Sequence, residues 1–100
     1  MEAGANRCEL TACIAELEAL RYTPAGVPAL NLKIQHSSSQ LEAGQVRQVK
    51  AILKAVALGS MAERLANQSI GSVWKFTGFL ANARNGKQVQ LHIQEMTLDH

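Results

Sequence analysis

One hundred residues, 47% of them apolar and 18% charged, describe one small globular domain spanning 1–100, not two domains or a disordered tail. No run approaches the roughly 18–20 apolar residues of a membrane span, and two cysteines, Cys8 and Cys13, make no disulfide framework. The formal charge of +2 hides a division: residues 21–91 hold nine Lys/Arg against Glu42 and Glu63, while both ends of the chain are net acidic.

Taken in chain order, the first segment is ambiguous. Leu10, Cys13, Ile14, Leu17 and Leu20 stand at helical spacing, yet Cys8, Leu10, Ala12 and Ile14 also alternate with polar neighbours as a strand would. Tyr22-Thr23-Pro24-Ala25-Gly26 is a Pro/Gly turn. Residues 27–36 give the clearest signal: Leu30, Leu32 and Ile34 alternate with Asn31, Lys33 and Gln35, the period of a strand with one buried and one wet face. Residues 37–44 are polar, close on Gly44 and read as a loop. Over 46–58 the ambiguity returns. As a strand, Val49, Ala51, Leu53, Ala55 and Ala57 face inward and Gln48, Lys50 and Lys54 outward, with Ile52 and Val56 as apolar residues on the outer face.

Ser60 with Glu63 three residues on is a capping-box pattern and predicts a short helix over 61–68. Trp74, Phe76, Gly78 and Leu80 then alternate with Lys75, Thr77 and Phe79, and Val89, Leu91 and Ile93 with Gln88, Gln90, His92 and Gln94. Between them Asn85-Gly86 predicts a two-residue type I′ hairpin. If both ambiguous segments are strands, a short helix between the third and fourth of five antiparallel strands is the order of an OB-fold, a Greek-key barrel. If they are helices, an α+β sandwich follows.

From about residue 6 to 98 the chain resembles the primosomal replication protein N (PriB) family, small OB-fold proteins similar to single-stranded DNA-binding protein. The resemblance is carried in order by Asn6-Arg7, Thr23-Pro24-Ala25-Gly26-Val27-Pro28, His36, Glu42-Ala43-Gly44, Gly78-Phe79-Leu80, Asn85-Gly86 and Leu91-His92. It implies that both ambiguous segments are strands, so the fold is all-β. It also implies a homodimer that binds single-stranded DNA and contacts the restart helicase and a helicase-loading protein, with no catalysis. Three positions depart from the family. Lys50 stands in place of a third-strand aromatic, Ser37 in place of a basic residue after His36, and the last hairpin loop is short with only Arg84 and Lys87.

Non-specific single-strand binding needs cations for phosphates and flat rings for bases. Lys33, Lys50 and Lys54 fall on the outward face of the second and third strands, the face on which OB-folds take oligonucleotides. Arg47 is assigned to the same surface, and Arg21, Arg84 and Lys87 to the flanking loops. Rings are scarce. Trp74 and Phe76 share the core face, leaving Tyr22 as the expected stacking platform. Binding is therefore expected to be electrostatic, weak and salt-sensitive. Ile52, Val56 and Phe79 are the apolar residues expected on the outside and assigned to a dimer interface. Cys8, Cys13, His36, His92 and His100 show no metal-ligand spacing, and no nucleophile with its base or Gly-rich phosphate loop is present, so neither cofactor nor enzyme is expected. The opening MEAGANR lacks the charged start and apolar core expected of a secretion signal, and two cysteines without a disulfide framework make the cytoplasm the expected compartment.

Overall fold

The computed structural model describes residues 4–84 and 86–98. Its elements run β1 (Cys8–Leu17), β2 (Arg21–Tyr22), β3 (Pro28–Glu42), β4 (Gln45–Leu58), α1 (Ser60–Ala66), β5 (Val73–Asn82) and β6 (Val89–Thr97). The sheet order β1-β5-β6-β4-β3 is closed by β1 pairing with β3, and β2 adds two residues to the edge of β3. Every barrel seam is antiparallel except β4–β6, which is parallel over Ala55↔Leu91 and Val56↔His92. The result is the expected five-stranded OB-fold barrel with one short helix.

Alternation builds the interior. Ile14, Leu30, Leu32, Ile34, Ala55, Ala57, Phe76, Leu91, Ile93 and Met96 fill the barrel, and α1 closes its lower end with buried Ala62 and Leu65. Both ambiguous segments are strands. A barrel this narrow needs small residues on some inner positions, which is why Ala12, Ala55 and Ala57 lie inside despite good helix propensity. The helix begins one residue earlier than the capping box implies: Gly59, at φ 70°, occupies the cap position without a side-chain cap bond, and Ser60 is already helical. The Gly59 N–H instead bonds the Pro28 carbonyl at 2.8 Å, which ties the start of α1 to β3.

The largest departure from the sequence reading is the segment 37–44. It is no loop. Ser37–Glu42 continue β3 and pair residue for residue with Gln45–Lys50 of β4. The two-residue turn between them is Ala43 and Gly44, at φ 52° and 79°, so the type I′ signature lies here. Beyond Gln35, the last β3 residue to pair with β1, the β3–β4 pair stands out from the barrel as a two-stranded ribbon. It draws the molecule out to 49 × 39 × 23 Å and raises the radius of gyration to 14.6 Å, where about 13 Å is usual for this length. His36 ties its base to the barrel: Nδ1 donates to the Thr11 carbonyl at 2.6 Å, while Nε2 meets Ser38 Oγ at 2.7 Å.

At the other hairpin, Asn85 lies outside the described residues. The connection runs over 83–88 and is closed by the Gly86 N–H on the Ala83 carbonyl (2.7 Å) and the Ala83 N–H on the Gln88 carbonyl (2.6 Å). It is longer than a two-residue turn.

Candidate nucleic-acid interface

Strand register decides which side chains share a face. Directly opposed residues of β3 and β4 point to the same side, so Ala29↔Leu58, Asn31↔Val56, Lys33↔Lys54, Gln35↔Ile52, Ser37↔Lys50 and Ser39↔Gln48 form one outer face. Lys33, Lys54 and Lys50 therefore lie in one stripe, as the alternation implied. The stripe has a brake. β1 slips register between Ile14 and Glu16, which sets Glu16 opposite Lys33 with its Oε2 3.5 Å from Nζ. Lys50 and Lys54 carry no ion pair among the described residues.

Arg47 does not join the stripe. It is opposed to Gln40, on the other face of the ribbon, and bonds Glu42 Oε1 at 2.7 Å. Alternation alone would have separated it from Lys50 and Lys54, since an odd step along the strand turns a side chain to the opposite face.

The inner end of the stripe opens into a cleft of about 730 Å³. Arg21, Tyr22, Thr23 and Pro24 form one bank, Asn82, Ala83 and Arg84 the other, and Asn31, Val56, Leu58, Gln90 and His92 line the floor. Arg21 is held by its Nη2 donating to Asn31 Oδ1 at 2.9 Å. Tyr22 is 63% exposed at the rim. Lys87 is exposed in the 83–88 connection beyond Arg84. Thus Arg21, Tyr22 and Arg84 meet in one cleft and Lys33, Lys54 and Lys50 lead away from it, two groups that share an outer face.

Val56 differs from the expectation of an exposed apolar residue: it is 5% exposed and forms part of the cleft floor. The barrel seam β4–β6 covers it, because His92 sits beside it on the neighbouring strand. Phe79 is half-buried, its ring stacked on His92 with centroids 4.7 Å apart and planes 12° from parallel. Ile52, at 69% exposed, is the one of the three that stands fully outside. Sequence reasoning missed Asn31, Gln90 and His92 as cleft residues. All three occupy outward positions of predicted strands, so the signal was present. What brings them beside Arg21 is the parallel β4–β6 seam, which periodicity does not disclose.

An OB-fold barrel with cations on the outer face of its central hairpin and in the loops flanking a cleft belongs, by fold and surface, to the class of oligonucleotide-binding modules. Residues 6–95 match the model of a family described as another single-strand binding protein family. The replication restart protein PriB of Bordetella pertussis is 45% identical over 91 residues, covering 90% of this chain and 85% of its own. The solved structure of PriB from Ralstonia solanacearum superposes with a TM-score of 0.88 at 38% identity, over 97% of this chain and 100% of that one. The single-strand-binding domain from Synechococcus shares the fold, with a TM-score of 0.72 at 23% identity. The chain belongs to the PriB branch of the single-strand binding protein family.

Proposed function

We propose that this protein is a single-stranded DNA-binding accessory subunit of replication restart. The strand enters the cleft between Arg21 and Arg84 and continues along the Lys33–Lys54–Lys50 stripe, held mainly through its phosphates and without sequence preference. The observation that carries this reading is the continuity of cleft and stripe on one face. In the same reading the protein is a cytoplasmic homodimer without catalytic activity that bridges the restart helicase and a helicase-loading protein. Dimerisation would set two stripes on one strand and lengthen the track. Among the described residues no helix is long and apolar enough to cross a membrane.

A second reading is supported by the ribbon, whose outer face carries exposed Ile52 at its base and exposed Leu41 and Val46 at its tip. Apolar side chains on a projecting arm suit a protein partner better than phosphates, as in an adaptor whose DNA binding is weak or lost. Anisotropy titration of labelled oligo-dT at two salt concentrations separates the two. A DNA-binding subunit gives saturable binding that weakens steeply with salt, by a log–log slope of about −0.7 per phosphate contact. No binding at low salt would leave the adaptor.

A further inference from the structure

The outer face of the barrel carries a transverse row that the phosphate stripe does not use. Register places Phe79 on β5 opposite His92 on β6, His92 beside Val56 on β4, and Val56 opposite Asn31 on β3. The two rings at the head of the row are nearly parallel, and their 4.7 Å separation equals the usual spacing of neighbouring strands. Their faces are therefore turned along the row, across the strands. Phe79 covers one face of the imidazole, and the other is turned toward β4.

Val56 is the low point of the row. It is short, it is 5% exposed, and with His92 it lines both the cleft beside Arg21 and the smaller adjoining hollow of about 350 Å³. From β6 across β4 to β3 is two strand spacings, about 9.5 Å, which admits one flat ring with van der Waals separations of about 3.5 Å on either side. The far wall is polar. Asn31 Oδ1 already accepts from Arg21, while its amide nitrogen has no partner among the described residues and can donate to a base carbonyl.

We propose that this row is a nucleobase slot, in which one base lies over Val56 as the third ring of the Phe79–His92 stack, with Asn31 and Arg21 at its outer edge. The inference rests on the reading of the cleft as a single-strand site and names the side chains that take a base there. It supplies stacking on the floor of the cleft, where Tyr22 stands only at the rim. The ligand class is a nucleobase within a strand, and the selection is for a flat ring.

The test compares oligo-dT with an abasic oligonucleotide of equal length, using the full chain as wild type, His92→Ala and His92→Phe, each checked by far-UV circular dichroism. A stacked base contributes roughly 5- to 150-fold in affinity. Wild type is expected to prefer oligo-dT by about tenfold. His92→Ala should lose most of that preference with an unchanged salt slope, and His92→Phe, which keeps a flat ring, should retain it. If His92→Ala keeps the full preference, or His92→Phe loses as much as His92→Ala, the slot is wrong while the phosphate track stands. If wild type binds neither oligonucleotide, the single-strand reading fails and the slot fails with it.

Discussion

Glu16 is predicted to restrain DNA binding, and Glu16→Gln to strengthen it. The carboxylate sits 3.5 Å from Lys33 Nζ, with the two side chains 64% and 43% exposed. A pair so solvated contributes less than about 1 kcal/mol to folding, so the variant should melt within a few degrees of wild type. Its effect on a bound strand is larger in proportion. The carboxylate occupies a place a phosphate would take beside Lys33, and it repels any phosphate that approaches Lys54, the residue directly opposed to Lys33. One such repulsion at about 7 Å in water is ~0.6 kcal/mol before screening, over a Debye length of about 10 Å at 0.1 M salt. One or two phosphates within that range give an expected gain of about two- to fivefold at low salt. Lys33, released from its partner, should also steepen the salt slope by as much as about 0.7. Anisotropy titrations with oligo-dT at several salt concentrations read both quantities. An unchanged affinity would refute the reasoning, and so would a gain that persists equally at high salt, because neither is how a competing surface charge behaves.

Two further substitutions test the frame that holds the site. At Gly78, β5 and β6 approach so closely that an added Cβ would overlap the His92 carbonyl oxygen and lie 2.8 Å from its carbon and 3.3 Å from Ile93 Cα. These are backbone atoms that no rotamer change can move, so Gly78→Ala should cost about 2–4 kcal/mol and lower the melting temperature by more than about 10 °C, with a shift of only a few degrees counting against the close approach. At the ribbon tip, Ala43 holds a left-handed φ of 52° before Gly44. Ala43→Asn gives the turn its preferred Asn–Gly pair and should slow amide exchange of the ribbon severalfold, and faster exchange would contradict the type I′ assignment.

How far the sequence disclosed this molecule depends on which face of each strand meets the core. Leu30, Leu32 and Ile34 announce their strand because one side is packed and the other wet. The continuation through Ser37–Glu42 has no packed side, so it carries no alternation and reads as a loop although it is fully paired. The strong turn signal in the sequence is Asn85-Gly86, yet the two-residue turn is made by Ala43 and Gly44, where alanine takes a conformation it disfavours and only the glycine marks the place. For β1 and β4, propensity and periodicity conflict because a narrow barrel wants alanine inside. Family resemblance, not spacing, decided them.

The site divides along the same line. Lys33, Lys50 and Lys54 were legible as a stripe because they belong to one hairpin, where pairing and parity suffice. The same parity should have set Arg47 apart, and it lies on the other face. The cleft was only half legible: Arg21 and Tyr22, which form the short strand β2, and Arg84 in the last connection flank the groove where loops were expected, whereas Val56, His92 and Phe79 meet through the β4–β6 seam and the β5–β6 register. Residues that look like scattered apolar surface on single strands become a floor and a stack once three strands are set side by side.

The central claim is that a single strand lies along the outer face of the β3–β4 hairpin. The most direct measurement compares the salt slope of oligo-dT binding for Lys33→Ala/Lys50→Ala/Lys54→Ala with that for Arg47→Ala, whose side chain lies on the opposite face. The triple variant is predicted to flatten the slope by about 1.4 to 2, near 0.7 each for Lys50 and Lys54 and up to that for Lys33, which Glu16 competes for, while Arg47→Ala leaves it unchanged. An unchanged slope in the triple variant, or a flattening produced by Arg47→Ala alone, would place the strand elsewhere on the protein.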